Sequence, residues 1–261
     1  MRKAAVVLAL GGSLCLCSCG AVAELPADVE AAAQNSSAMG LILPETDTAL
    51  PTWLALHALA TPESALLLPD AVQLEVENIP QNPELPNGCE ITSAAIVLNY
   101  LGYAADKVTL AEEYLPTHVP YWEADPDTEF MGNPADELSF YCLPGAVVTA
   151  ANAYLADQGS GCQALDITGA TVVQLEQYLA QGVPVLVWTT RAFTEPLYNY
   201  TFTLPDGNWP YANSHCLVLT GYDADNYYFS DPMLEITEID RETFALRYEQ
   251  LGSHAVVITQ G

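Results

Sequence analysis

Positive charge is what this 261-residue sequence lacks most: six Lys and Arg stand against 33 Asp and Glu, a formal charge of −27. Two of the six, Arg2 and Lys3, lie at the very start, leaving four bases for all that follows. A surface of that sign repels phosphate backbones and anionic lipid heads, which argues against nucleic acid as a partner. A well-solvated acidic exterior explains most of the imbalance, and a cleft that prefers basic peptides is compatible with it. Apolar runs are short too, and none beyond the first residues reaches the length of a membrane-spanning helix. Histidines number four, and none of the seven cysteines forms a Cys-x-x-Cys pair or joins a histidine at zinc spacing. No metal or organic cofactor is implied.

What is present begins with Met1-Arg2-Lys3 and the apolar stretch Ala4 to Leu16, which together have the form of an export signal. Leu16-Cys17-Ser18-Cys19 resembles a bacterial lipobox, with Cys19 as the residue to be lipid-modified. Ala21-Val22-Ala23 fits ordinary secretory cleavage instead, and both readings stay open. The expectation is a signal peptide over residues 1–23 and a location outside the cytoplasm, secreted or lipid-anchored at the bacterial cell surface. The membrane would then be met only through that anchor. Residues 24–73, rich in Ala, Leu and acids and interrupted by Pro44, Pro51, Pro62 and Pro69, read as a tether. Residues 74–261 read as one compact domain, expected to be a monomer.

Within that domain the stretch Gln81 to Gly102 organises the rest. Pro83, Pro86 and Gly88 keep its first part out of helix. Ile91, Ala94, Ala95, Leu98 and Leu101 then fall on one helical face, which predicts an amphipathic helix. Asn87 with Glu90 three residues later has the form of a capping box. Cys89 therefore belongs in the first turn, where the helix dipole and unpaired N–H groups favour a thiolate. The plainer reading is a buried apolar filler, the commonest role of a free cysteine.

Further on, short helices are expected at Leu110 to Tyr114 and Pro144 to Asp157, and a long loop at Pro120 to Pro134. Gln163 to Ile167, Val183 to Trp188, Ser214 to Tyr222, Tyr227 to Ser230 and His254 to Ile258 read as strands, with helices at Thr171 to Gln181 and Arg241 to Leu251. Helices first and an antiparallel meander later give an α+β fold. Cys142 and Cys162 flank the Pro144 helix, so a bridge between them is allowed but not favoured.

The hairpin after Ser214 matters most. His215 opens one strand and Asp231 closes the next, so one imidazole and one carboxylate arrive together. Taken singly, such a histidine is most often a satisfied core residue and an Asp before Pro a turn former. Together with Cys89 they supply a nucleophile, a base and a group that fixes the base. His118 is the competing base, while His57 in the tether reads as structural.

Gln81 to Tyr100, QNPELPNGCEITSAAIVLNY, resembles the nucleophile segment of bacterial papain-like peptidases related to the double-glycine leader peptidases, family thirty-nine of the cysteine peptidases. The resemblance continues in DTEFMGNP (127–134), GVPVLVW (182–188), HCLVLTGYDADNYYFSDP (215–232) and Glu249 to Gly252. It implies a papain-like cysteine peptidase fold, with N-terminal helices packed on an antiparallel sheet, acting on a peptide or peptide-like substrate through a thioester acyl-enzyme. It implies Cys89 as nucleophile, His215 as general base and acid, Asp231 as the residue orienting that histidine, and Gln81 as oxyanion donor. Asn82 and Asn87 are alternatives to Gln81. Cys216 takes the place of the family's usual small residue and is expected to be buried. Two rival functions remain: an acyltransferase on the same fold, or an inert cell-surface binding module using the aromatic loop around Trp122 and Trp209.

Overall fold

A computed structural model describes residues 68–261. The expected signal peptide, Cys19, His57 and most of the expected tether lie outside the described residues.

The chain first forms a short strand, β1 (Val72–Gln73), then α1 (Cys89–Tyr100) and the turn α2 (Lys107–Thr109), which runs into a π-helix at Leu110–Tyr114. Strands β2 (Thr117–His118) and β3 (Phe130–Met131) pair in parallel as a separate small sheet, the second of them within the Pro120 to Pro134 stretch expected to be loop. Next come α3 (Pro144–Asp157), β4 (Cys162–Asp166), α4 (Val172–Ala180) and β5 (Val185–Thr190). The hairpin β6 (Ser214–Tyr222) and β7 (Asn226–Ser230) follows, then β8 (Glu238–Asp240), α5 (Arg241–Gln250) and β9 (Ala255–Gln260).

The main sheet is antiparallel in the order β4-β9-β5-β6-β7-β8, with β1 added at the far end of β6. A Cβ on Gly221 would lie 2.4 Å from Val72 O, so only glycine lets β1 approach there. The sheet thus takes in Val72 and Gln73, just ahead of residue 74.

Alternation along the central strands sorts their side chains into two cores. Leu186, Trp188, Cys216 and Val218 lie under α1 and α3. Val185, Val187, Leu217 and Leu219 lie under α4 and α5 with Tyr178, Phe244 and Tyr248. Each strand buried on both faces reads as a continuous apolar run, as Val185–Trp188 does. α1 departs from the amphipathic helix expected of it: every residue from Cys89 to Leu98 is buried. The sheet covers one side of it, and α2, the π-helix and α3 cover the other.

The loop before α3 is clamped to that helix's first turn. Leu143 N donates to Pro126 O at 2.7 Å, and a Cβ on Gly145 would meet the carbonyl oxygen of Asp127 at 2.1 Å. Backbone cannot yield as a flexible side chain does. Gly145→Ala is therefore expected to destabilise the domain by about 1–3 kcal/mol, read as a lower urea midpoint. An unchanged midpoint would mean that the loop shifts freely.

Candidate active site

Cys89 is the first residue of α1, with Gly88 at the cap. A Cβ on Gly88 would fall 2.7 Å from Leu85 Cβ, so glycine lets the chain fold tightly against the helix start. The expected capping box does not form. The helix begins one residue later than that arrangement needs, which makes Glu90 its second residue rather than its third. Asn87 instead donates its Nδ2 to Asp136 O at 2.7 Å. Glu90 turns inward and is fully buried. Its Oε1 accepts from Cys142 N at 3.2 Å, and its Oε2 accepts the Cys89 thiol at 3.3 Å.

This reverses the electrostatics expected at Cys89. Its residue is only 7% exposed. Burial pushes the thiol well above its ordinary value, and the Glu90 charge pushes it further; the Cys216 N–H pulls weakly the other way. The sulfur therefore rests as a thiol, and the helix start does not ionise it unaided. Burial likewise raises the Glu90 carboxyl to about 7, although the N–H groups of Glu90 itself and Cys142 and the Cys89 thiol favour its charge.

The sheet supplies the other groups. Cys216 N donates to Cys89 Sγ at 3.4 Å, and Ser93 Oγ donates to Cys216 O at 3.2 Å. These two bonds fasten the first turns of α1 to the start of β6, so the peptide group joining His215 to Cys216 meets the sulfur. His215 Nε2 lies 2.8 Å from Asp231 Oδ1, and both residues are almost fully buried. Asp231 sits in a cage of backbone donors. Its Oδ1 also accepts Met233 N at 2.8 Å, while Oδ2 accepts Glu235 N at 3.1 Å and Ile236 N at 3.0 Å. Burial, the largest single influence, would raise this carboxyl. The hydrogen bond and charge of His215, with the Met233 and Ile236 N–H groups, outweigh it and hold the group below its ordinary value. A carboxylate there accepts a hydrogen bond from Nε2–H, which fixes the tautomer and leaves the Nδ1 lone pair free to act as a base. Among the described residues no hydrogen bond joins His215 to Cys89; the thiol is turned to Glu90.

Gln81 is buried, and its amide is held by the Pro-rich turn. Its Nε2 hydrogens go to Leu85 O at 3.2 Å and Pro86 O at 2.8 Å, and its buried Oε1 has no partner among the described residues. Two local carbonyls of the Pro-rich turn take the amide that the resemblance aims at the reacting centre. His118, the rival base, pairs with Glu129 at 3.1 Å on β2, and His254 contacts Thr168 Oγ1 at 3.2 Å; neither accompanies Cys89. Cys142 and Cys162 are unbridged, and Cys216 is buried as expected. No group of three or more His, Cys, Asp or Glu among the described residues is arranged to hold a metal ion.

A cleft of about 480 Å3 is lined by Asn87, two residues before Cys89, by Ser214, one before His215, and by Tyr141 and Tyr211, while Cys89, His215 and Asp231 are not themselves part of its wall. Its size suits a bound peptide segment or small ligand. Ser214 Oγ is buried there without a hydrogen-bond partner among the described residues. Glu90 is the residue that sequence reasoning misplaced. The signal was its register: Glu90, Ala94, Val97 and Leu98 share one helical stripe, so the glutamate had to follow the apolar residues inward.

Comparison with known proteins places the fold. The model of the Peptidase_C39 like family matches residues 73–256. The Bacillus subtilis (strain 168) protein YvpB, itself uncharacterised, is 35% identical over 181 residues, covering 67% of this chain and 70% of its own. A Bacillus anthracis crystal structure assigned to the C39-like peptidases superposes with a TM-score of 0.64 at 28% identity, covering 74% of this chain and 99% of that one. A double-glycine motif protease from an AMS/PCAT transporter, solved with a leader peptide, is similar at 16% identity and a TM-score of 0.39, covering 72% of this chain and 91% of that one. With its α+β sheet, its buried His–Asp pair and a cysteine heading the first long helix, the chain belongs to the Peptidase_C39-like family.

Proposed function

We propose that this protein is a cysteine peptidase that cleaves a peptide bond with Cys89 as nucleophile, His215 as its base and Asp231 as the residue that fixes the imidazole. The observation that carries this reading is the His215–Asp231 bond of 2.8 Å one residue away from the Cys216 N–H that meets Cys89 Sγ. Reaction requires the thiol to leave Glu90 and turn toward Nδ1, which takes its proton as sulfur attacks the carbonyl. The tetrahedral oxyanion is held by the backbone N–H of Cys89, an unpaired donor of the first helical turn. The imidazolium then gives its proton to the leaving amine, and water releases the thioester by the reverse transfers. Ser214 Oγ is free to bind the substrate backbone. Export through residues 1–23, with Cys19 as the anchor site, and action as a monomer outside the cytoplasm belong to the same proposal.

Cys162 is half-exposed while the other three described cysteines are buried, so general alkylation reaches it first and does not report on function. Peptide cleavage does. A mixed peptide library incubated with the protein at neutral pH should yield new termini by mass spectrometry. Cys89→Ala should abolish them, and His215→Ala should slow them by roughly two to four orders of magnitude. Cleavage that survives Cys89→Ala, or an unmodified protein that cuts nothing, overturns the reading.

A further inference from the structure

Beside the cleft lies a second cavity of about 500 Å3, built mainly from the β5–β6 connection. Its wall includes Tyr141, Tyr198, Tyr200, Trp209 and Tyr211, with Asp206 at the rim. Tyr198 and Tyr211 form an isolated antiparallel bridge, which brings two aromatic pairs of i, i+2 spacing face to face. Tyr200 is 68% exposed, Trp209 42% and Tyr198 41%. Large rings left open to water in one cluster are a costly arrangement for folding alone, and such patches mark binding sites.

The rings form a cup rather than a platform. Tyr198 and Tyr211 are 5.2 Å apart and inclined by 33°, Tyr200 and Trp209 5.4 Å apart at 68°, and Tyr141 and Tyr211 6.3 Å apart at 50°. A sugar stacks on one flat face, whereas converging faces direct several quadrupoles at a compact cation. Asp206 is held in place: its Oδ1 accepts Asn208 N at 2.8 Å and its Oδ2 accepts Asn208 Nδ2 at 2.6 Å. Among the described residues no Lys or Arg pairs with it. The four described Lys and Arg are engaged elsewhere, Lys107 with Glu84, Arg191 with Glu235, Arg241 with Glu176, and Arg247 with Phe193 O and Gln250 Oε1. His254, also in the wall, is pushed toward its neutral form by burial, against the pull of Asp127 and Asp166.

We propose that this aromatic cup is a binding site for a basic side chain, Lys or Arg, of a peptide lying in the adjoining cleft. Tyr141 and Tyr211 line both cavities and form the partition between them, so a residue beside the scissile bond reaches the cup past one pair of rings. Cation binding stands on the cup alone; its role in substrate choice rests on the peptidase reading.

The experiment separates the two. The full chain carrying Cys89→Ala, which cannot turn over substrate, is titrated calorimetrically with an acetylated, amidated Gly-Gly-Arg-Gly-Gly peptide and with its citrulline counterpart. Citrulline keeps the shape of arginine and lacks the charge. The arginine peptide should bind at least tenfold tighter, and Trp209→Ala and Asp206→Asn, both at exposed positions, should each remove most of that preference. Equal binding of the two peptides, no binding, indifference to both substitutions, or binding of a maltooligosaccharide in place of the peptide would overturn the proposal. Should the arginine preference appear while the unmodified chain cuts no peptide, the cup stands and the peptidase reading falls.

Discussion

Asp231→Ala should cost the protein about 3–5 kcal/mol of stability and slow peptide cleavage by roughly two to four orders of magnitude. The size of both effects follows from how many donors the carboxylate serves. It accepts His215 Nε2, Met233 N, Glu235 N and Ile236 N, and all of these lose their acceptor at once. Buried donors left unpaired cost the full desolvation of each group. The imidazole loses the partner that fixes its tautomer, so Nδ1 no longer reliably presents a lone pair to the thiol. The stability part has a definite pH dependence. Asp231 is held below its ordinary value of 3.8, so it stabilises the fold fully above that pH and loses the contribution as pH falls through the folded value. Denaturant melts of the two proteins should differ most near neutrality and converge in acid. A constant gap from pH 7 down to pH 2 would sink this account. Asp231→Asn provides the control: its single oxygen can serve either the imidazole or the 235–236 backbone, and its amide opposes the other set.

Glu90→Gln should act in the opposite direction and stabilise the protein in mild alkali. The folded carboxyl titrates at about 7 rather than at its ordinary 4.5, so the native state keeps a proton that the unfolded chain releases. Stability consequently falls as pH rises from 4.5 through about 7. By pH 8 the loss amounts to about 3 kcal/mol as an upper figure. Glutamine keeps an oxygen for Cys142 N and removes the charge, so its melts should be nearly flat over this range. The same change removes a negative neighbour from Cys89, whose thiol is held up first by burial and then by Glu90. Alkylation at Cys89 at pH 8, followed on the Glu-C peptide that starts at Leu85 and holds no other cysteine, should run about tenfold faster in the variant. A parallel fall of stability in both proteins would show that folding does not raise the Glu90 carboxyl, and unchanged alkylation would show that its charge does not act on the Cys89 thiol.

Much of this arrangement could be read from the sequence, for identifiable reasons. Val183 to Trp188 and Ser214 to Ser230 declare buried strands because neither face of the sheet meets water. His215 and Asp231 converge because a tight turn of Asp223 to Asn226 leaves antiparallel strands no other course. Asn87 and Glu90 mislead because a capping pattern is a statement about spacing alone. The actual cap, Gly88, is chosen by its close approach to Leu85, which spacing does not encode. The setting of Gln81 was hidden for a related reason: its amide is bonded to Leu85 O and Pro86 O, whose carbonyl directions exist only once the turn has formed. The aromatic cup was visible only as a loop with rings in it, since the Tyr198–Tyr211 bridge pairs residues whose contact no periodicity announces.

The Asp231 cage also ties together two parts of the chain that are far apart in sequence. The backbone oxygen of Asp231 accepts Asn78 Nδ2 across 153 residues, and Pro232 O accepts Gln81 N. The segment leading into the helix of Cys89 is thus seated by the same turn that seats the imidazole. A chain that has not yet folded holds its cysteine far from the imidazole and the carboxylate, and these three side chains become neighbours only when residues 78–81 close on the 231–232 turn.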